Sequence, residues 1–242
     1  MLGRRISVAA AALVLNGAAA ARADNLALFH VAVEDVEAHN RAAIGALQDK
    51  NFDRAALAIE RMKESWSAFA ERFSGDRPDK LRDSKLYVQM LVDVPTRLVT
   101  ATIMINFGKP EIAKSALEAI RQEFSNLRRD GGVEVLADCV LDVRAATTAV
   151  SAFADHPPDW SKPETGADII AKTEALRATV KRCDGMAPAQ VHDNTEFRQL
   201  VDGLTTALAL VPEAAMARDD AALHRIVAAL RALGDTLTLR YG

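Results

Sequence analysis

The side chains that could do chemistry are few and scattered. The histidines are His30, His39, His156, His192 and His224. His30, Glu34, Glu37 and Arg41 follow one another at helical spacing and share one face. Histidine with carboxylates suits several divalent ions, so His30, Glu34 and Glu37 are candidate metal ligands. The competing reading is a solvated flank of ion pairs within the helix. His39 lies on the opposite side, and His156 precedes Pro157 and Pro158 in a loop. The chain has no HExxH, and no Glu-x-x-His recurs as a di-iron bundle would need. It also lacks a GxSxG, a phosphate loop and a GxGxxG, so no catalytic residue is assigned and the expectation is a non-catalytic protein. Asn40 falls on an apolar stripe, where it would hydrogen-bond across a bundle or mark a polar cavity. Met62, Met90, Met104 and Met216 read as core filling. Trp66 reads as core, while Trp160 sits in a loop that covers a groove or pins a hairpin.

Elements that could position these groups follow from composition. The 242 residues are 50% hydrophobic but only 5% aromatic, and Ala, Leu, Val and Ile dominate. That mixture favours helices over strands. Residues 1–23 have the features of a secretory leader: Arg4 and Arg5, an apolar stretch from Ile6 to Leu15, and Ala21-Arg22-Ala23 before the cut. The expected location is the periplasm, with Asp24 as the first mature residue. No Cys stands directly after that cut, which argues against a lipid anchor. No later segment is an unbroken apolar run long enough to span a bilayer, so no membrane span is expected in the mature chain. Losing Arg4, Arg5 and Arg22 leaves 27 Lys and Arg against 33 Asp and Glu, a net charge of −6. An acidic surface argues against nucleic-acid partners.

Laid over itself so that Val33 falls on Val143, an offset of 110, the mature chain matches itself without gaps. In that alignment Ile59 falls on Ile169, Gln89 on Gln199, Leu98 on Leu208, Arg121 on Arg231 and Leu127 on Leu237. A duplication follows, with units 24–132 and 133–242 joined at Gly131-Gly132. Each unit reads as four helices. In the first, one stripe runs through Leu26, Phe29, Val33, Val36, Ile44 and Leu47. A second helix starts near Asp53 and ends at Phe73; a third covers about Ser84 to Phe107; Gly108 and Pro110 separate it from a fourth. The second unit repeats this at about 133–155, 163–183, 194–218 and 220–240, with a capping box at Ser161–Glu164 and a start signal at Asp193–Glu196. Pro95 and Pro212 fall inside helical patterns and should kink or interrupt them. Short turns imply two tandem up-down-up-down four-helix bundles, an all-α fold.

Cys139 and Cys183 fall at the joined ends of one hairpin, so a disulfide is expected in an oxidising compartment. The aligned positions in the first unit are Phe29 and Phe73. One unit would close its hairpin with a ring pair and the other with a bridge.

Phe197-Arg198-Gln199-Leu200, Ala217-Arg218-Asp219-Asp220-Ala221 and Leu237-Thr238-Leu239-Arg240-Tyr241 resemble the last hairpin of periplasmic b-type cytochromes and cytochromes c-prime. The resemblance implies the four-helix fold. That family holds haem by a histidine on the last helix; here no His falls near Thr238 or near Arg128, and no CxxCH exists. The reading is therefore a non-catalytic binding or interaction module for an unknown periplasmic protein or small ligand. No cofactor is predicted; the alternative is haem or a divalent metal held by unconventional ligands.

Overall fold

The computed structural model describes residues 12–242 other than Pro157, with side chains from Asn25 onward. The charged start of the expected leader lies outside the described residues. The helices are α1 (Ala12–Gln48), α2 (Phe52–Phe73), α3 (Lys85–Asn106), α4 (Pro110–Asp130), α5 (Leu136–Asp155), α6 (Thr165–Met186), α7 (Ala189–His192), α8 (Thr195–Met216) and α9 (Asp220–Tyr241). No strand occurs among the described residues, and the fold is all-α. The chain divides into two compact units after Val133, just beyond the division expected at 132.

In the first unit each helix packs on its neighbours in sequence, and α4 closes back on α1. Burial of an apolar stripe on every helix drives this ring. Phe29, Phe69, Phe73, Tyr87 and Phe124 are all fully buried. Phe29 meets Phe69 and Phe73 edge-on, with ring centroids 5.3 Å apart in both pairs. Tyr87 keeps its hydroxyl satisfied by donating to the Phe73 carbonyl at 2.5 Å.

The second unit closes the same ring with α5, α6, α8 and α9. Cys139 and Cys183 are disulfide-bonded, with Cα atoms 5.4 Å apart. Thus the ring pair Phe29–Phe73 and the bridge occupy aligned positions of the two units. Helix α8 starts and stops where the alignment places the ends of α3, Thr195 matching Lys85 and Met216 matching Asn106. Its inward residues Phe197, Leu200, Leu204, Leu208 and Val211 are buried, as are Tyr87, Met90, Val94, Leu98 and Ala101 of α3.

The turns also correspond. Gly108 has φ +67°, and its aligned residue Arg218 has φ +53°. Lys109 N–H returns to the Met104 carbonyl at 2.8 Å, and Asp219 N–H to the Ala214 carbonyl at 3.0 Å. Both are left-handed helix terminations; the second places an arginine where glycine is unstrained.

Several local signals resolve differently from the sequence pattern. The cap of α2 is Asn51, whose side chain accepts from Arg54 N–H, and Asp53 sits in the first turn. The Ser161 capping box does not form. Instead Asp159 accepts the Ser161 N–H and hydroxyl, Thr165 donates to the Asp159 carbonyl, and α6 starts at Thr165. Ser84 caps α3, and Asn194 rather than Asp193 caps α8. Pro95 and Pro212 lie inside unbroken helices. Pro212 has no N–H for the Leu208 carbonyl, and Arg177 of α6 donates to that carbonyl at 3.1 Å. The short α7 has no counterpart in the sequence reading.

Candidate functional site

The suggested metal ligands do not converge. Glu37 points into the first bundle and is 2% exposed. Both of its oxygens are taken by Arg128 of α4, at 2.7 and 3.0 Å. This fork-to-fork pair joins residues 91 apart in sequence. Glu34 faces outward and accepts from Arg41 at 2.6 Å. His30 is half-buried with its ring 5.6 Å from that of Phe29. Among the described residues no three His, Cys, Asp or Glu group as a metal set. Burial pushes the Glu37 carboxyl above its ordinary range, and Arg128 pulls it back only in part.

Asn40 is fully buried and bridges α1 to α4, donating from Nδ2 to the Leu117 carbonyl at 2.9 Å. Arg121 and Ser125 are buried on α4 as well, so the first bundle has a polar streak through its core. The second-unit positions aligned with Glu37, Asn40 and Arg128 hold Thr147, Val150 and Thr238, all buried. Thr238 donates to the Gly234 carbonyl at 2.8 Å. Met62 and Met90 are core residues, but Met216 is 75% exposed. Trp66 stacks on Phe69 at 5.1 Å. Trp160 donates to Asp220 at 2.7 Å, which pins the α5–α6 loop to the start of α9.

A groove of about 360 Å³ lies between α3 and α4. Gln89, Asp93 and Arg97 line it from α3; Gln122, Glu123 and Asn126 line it from α4. Helical spacing puts Asp93 and Arg97 one turn apart on one flank of α3, away from the inward residues Met90, Val94 and Leu98. Arg97 donates from Nε to Glu123 Oε1. Gln89 donates to Asp93 at 3.1 Å, and Gln122 to Asn126 at 3.0 Å. The second oxygen of Glu123, Oε2, is buried and has no hydrogen-bond partner among the described residues. Burial raises the Glu123 carboxyl above its ordinary range; Asp93 adds to this and Arg97 opposes it. Two carboxylates against one guanidinium leave the groove with an excess of acceptors. It is suited to holding a small polar or cationic group.

These groove residues were not singled out from the sequence. The signal that could have found them is a contrast between aligned positions of the two units. Asp93, Arg97, Gln122, Glu123 and Asn126 fall on Gly203, Ala207, Ala232, Leu233 and Thr236. In the second unit a Cβ on Gly203 would lie 3.2 Å from the Leu233 side chain, so that stretch of the seam is filled by leucine. Further along the α8–α9 seam is a groove of about 470 Å³, lined largely by Ala207, Leu210, Ala214, Ala222 and Ile226. The groove of the first unit thus carries more polar side chains than that of the second, whose lining also includes Glu213, Asp219 and Arg225.

By length and hydropathy α3 is the described helix that could cross a membrane. It carries Asp93 and Arg97 in its middle, and it buries Tyr87, Met90, Val94, Leu98 and Ala101 in the bundle. Compared with family models, with curated proteins and with solved structures, the chain matches none.

Proposed function

We propose that this is an exported, non-catalytic binding module, built by duplication of a four-helix unit, whose first copy holds a small polar ligand in the α3–α4 groove. One observation carries the reading. Gln89 keeps its type in the second unit as Gln199, but the other five of the six polar side chains on that groove fall on positions that hold a small or apolar residue or Thr236. A four-helix unit therefore does not require them. A half-buried carboxyl with an unpaired oxygen costs stability, and such a cost is common where a ligand supplies the missing partner. The ligand class is a small amine, guanidine or amide able to donate to Glu123 Oε2. Residues 1–23 and the oxidised Cys139–Cys183 pair support export.

The test is a thermal-shift screen of the mature chain against small amines, guanidines and amides, run beside Glu123→Leu. A compound that raises the melting temperature of the wild type but not of Glu123→Leu supports the site. Equal shifts in both, or no shift with any compound, overturn it. Export is checked separately by sequencing the amino terminus of the periplasmic protein, which should begin at Asp24.

A further inference from the structure

Helix α3 has a second apolar face that the bundle does not use. Val88, Val92, Val99 and Ile103 are 52%, 63%, 54% and 41% exposed. They lie on one stripe with Pro95, at spacings of four, three, four and four, and the stripe is about 22 Å long. Scattered exposed valines need no explanation, but a continuous line on one helix does. The counterpart helix supplies a comparison. Its inward residues are buried like those of α3, yet the positions matching Val88, Val92, Pro95, Val99 and Ile103 hold Arg198, Asp202, Thr205, Ala209 and Glu213. Folding requires the inward face and not this stripe.

We propose that a second copy of the chain covers the stripe, through antiparallel pairing of α3 with α3. Three observations favour that occupant. The stripe carries no charge, so two copies meet without repulsion in a chain of net negative charge. It is also self-complementary. With the dyad between Pro95 and Thr96, Val92 meets Val99 of the other copy, and Val88 meets Ile103. Finally, α3 is poorly matched to its own dipole: Lys85 stands in its first turn, and no basic residue stands in its last turn. Antiparallel pairing sets Lys85 of each copy beside Asn106, at the carbonyl-rich end of the other helix. A single helix seam falls at the small end of interface sizes, so the dimer is reversible and concentration-dependent. This inference is independent of the groove, whose residues occupy another flank of α3.

Sedimentation velocity of the mature chain between about 5 and 500 µM tests it. The expected result is a shift from monomer to dimer across that range. Val92→Glu should weaken association at least tenfold, while Ala209→Glu on the counterpart helix should leave it unchanged; circular dichroism verifies that each variant is folded. For geometry, Thr96→Cys should form an interchain disulfide on oxidation. Val88→Cys should form one with Ile103→Cys in a mixture and not with itself. A chain that stays monomeric throughout, a dimer that survives Val92→Glu, or self-linking of Val88→Cys overturns the proposal. So does a monomer that instead floats with phosphatidylcholine vesicles, since a lipid surface would then be the occupant.

Discussion

The two bundles hold the same four-helix ring together by different means. The first relies on rings and on a buried ion pair: Phe29 against Phe69 and Phe73, and Glu37 forked to Arg128. The second uses a covalent bond and close backbone approach. Cys139 and Cys183 replace the Phe29–Phe73 pair, and Gly234 lets α9 approach Thr147 of α5 so closely that a Cβ there would lie 3.1 Å from the hydroxyl oxygen. Phe124 occupies the first-unit position aligned with Gly234. Where the first unit has Phe124 and the Glu37–Arg128 pair, the second has Gly234, Thr147 and Thr238 at the aligned positions. A shared hydrophobic pattern fixes the ring, and the content of each seam is free to differ.

The comparison can be broken most severely at Arg128. Arg128→Met strands the buried Glu37 carboxylate, and the first unit should lose about 3–5 kcal/mol. Replacing both partners with the residues of the second unit, Glu37→Thr with Arg128→Thr, should cost less than Arg128→Met alone. Urea unfolding followed by hydrogen exchange resolved by unit measures both. A double variant weaker than the single one would mean that the ion pair is a net stabiliser. Next comes the bridge. Cys183→Ser opens a link across 44 residues and should cost the second unit about 3–4 kcal/mol, leaving exchange in the first unchanged. Equal loss of protection in both units would show that they do not unfold separately.

Smaller effects sharpen the contrast. Gly234→Ala pushes a methyl against Thr147, and an overpacked seam should lose about 1–3 kcal/mol; Thr147→Ser should not rescue it, whereas Thr147→Gly should. The smallest effect is in pH dependence. Glu123 holds its proton more tightly in the folded than in the unfolded chain, where its value is near 4.5. Stability of the first unit should therefore decline as pH rises from 4.5 through the raised folded value, because the folded state binds more proton there. Glu123→Gln should flatten that decline without abolishing it, since Glu37 is shifted in the same direction. The urea midpoint of the first unit, followed against pH, decides; an unchanged slope would remove Glu123 as a contributor.

Much of the fold was legible because periodicity reports which face of a helix is buried. The stripe Phe29–Val33–Val36 and the Cys139–Cys183 pairing follow from spacing. Periodicity does not report what a polar residue meets across the bundle. Glu37 shares a surface-like pattern with Glu34, yet its partner lies 91 positions away, and only tertiary packing brings Arg128 to it. For the same reason Pro212 resembles an interruption in the sequence. The helix runs on through it, and Arg177, on another helix, donates to the carbonyl that proline leaves. Asn51 displaces Asp53 as a cap because both residue types can cap and spacing alone does not choose. The groove residues are invisible singly, since Asp93, Arg97 and Glu123 resemble any solvated helix flank. Contrast with Gly203, Ala207 and Leu233 is what makes them informative.

The tryptophans give this molecule a built-in optical readout. There are two in the chain, one in each unit. Trp66 is packed flat against Phe69 in the first core, whereas Trp160 is partly open to water and hydrogen-bonded to Asp220. An indole in an apolar, dry setting emits toward the blue, and one in contact with water and a carboxylate emits toward the red. The folded protein should therefore show a composite emission band whose blue and red edges report different halves of the chain. Single-tryptophan variants, Trp66→Phe and Trp160→Phe, would turn one fluorescence trace into two independent ones.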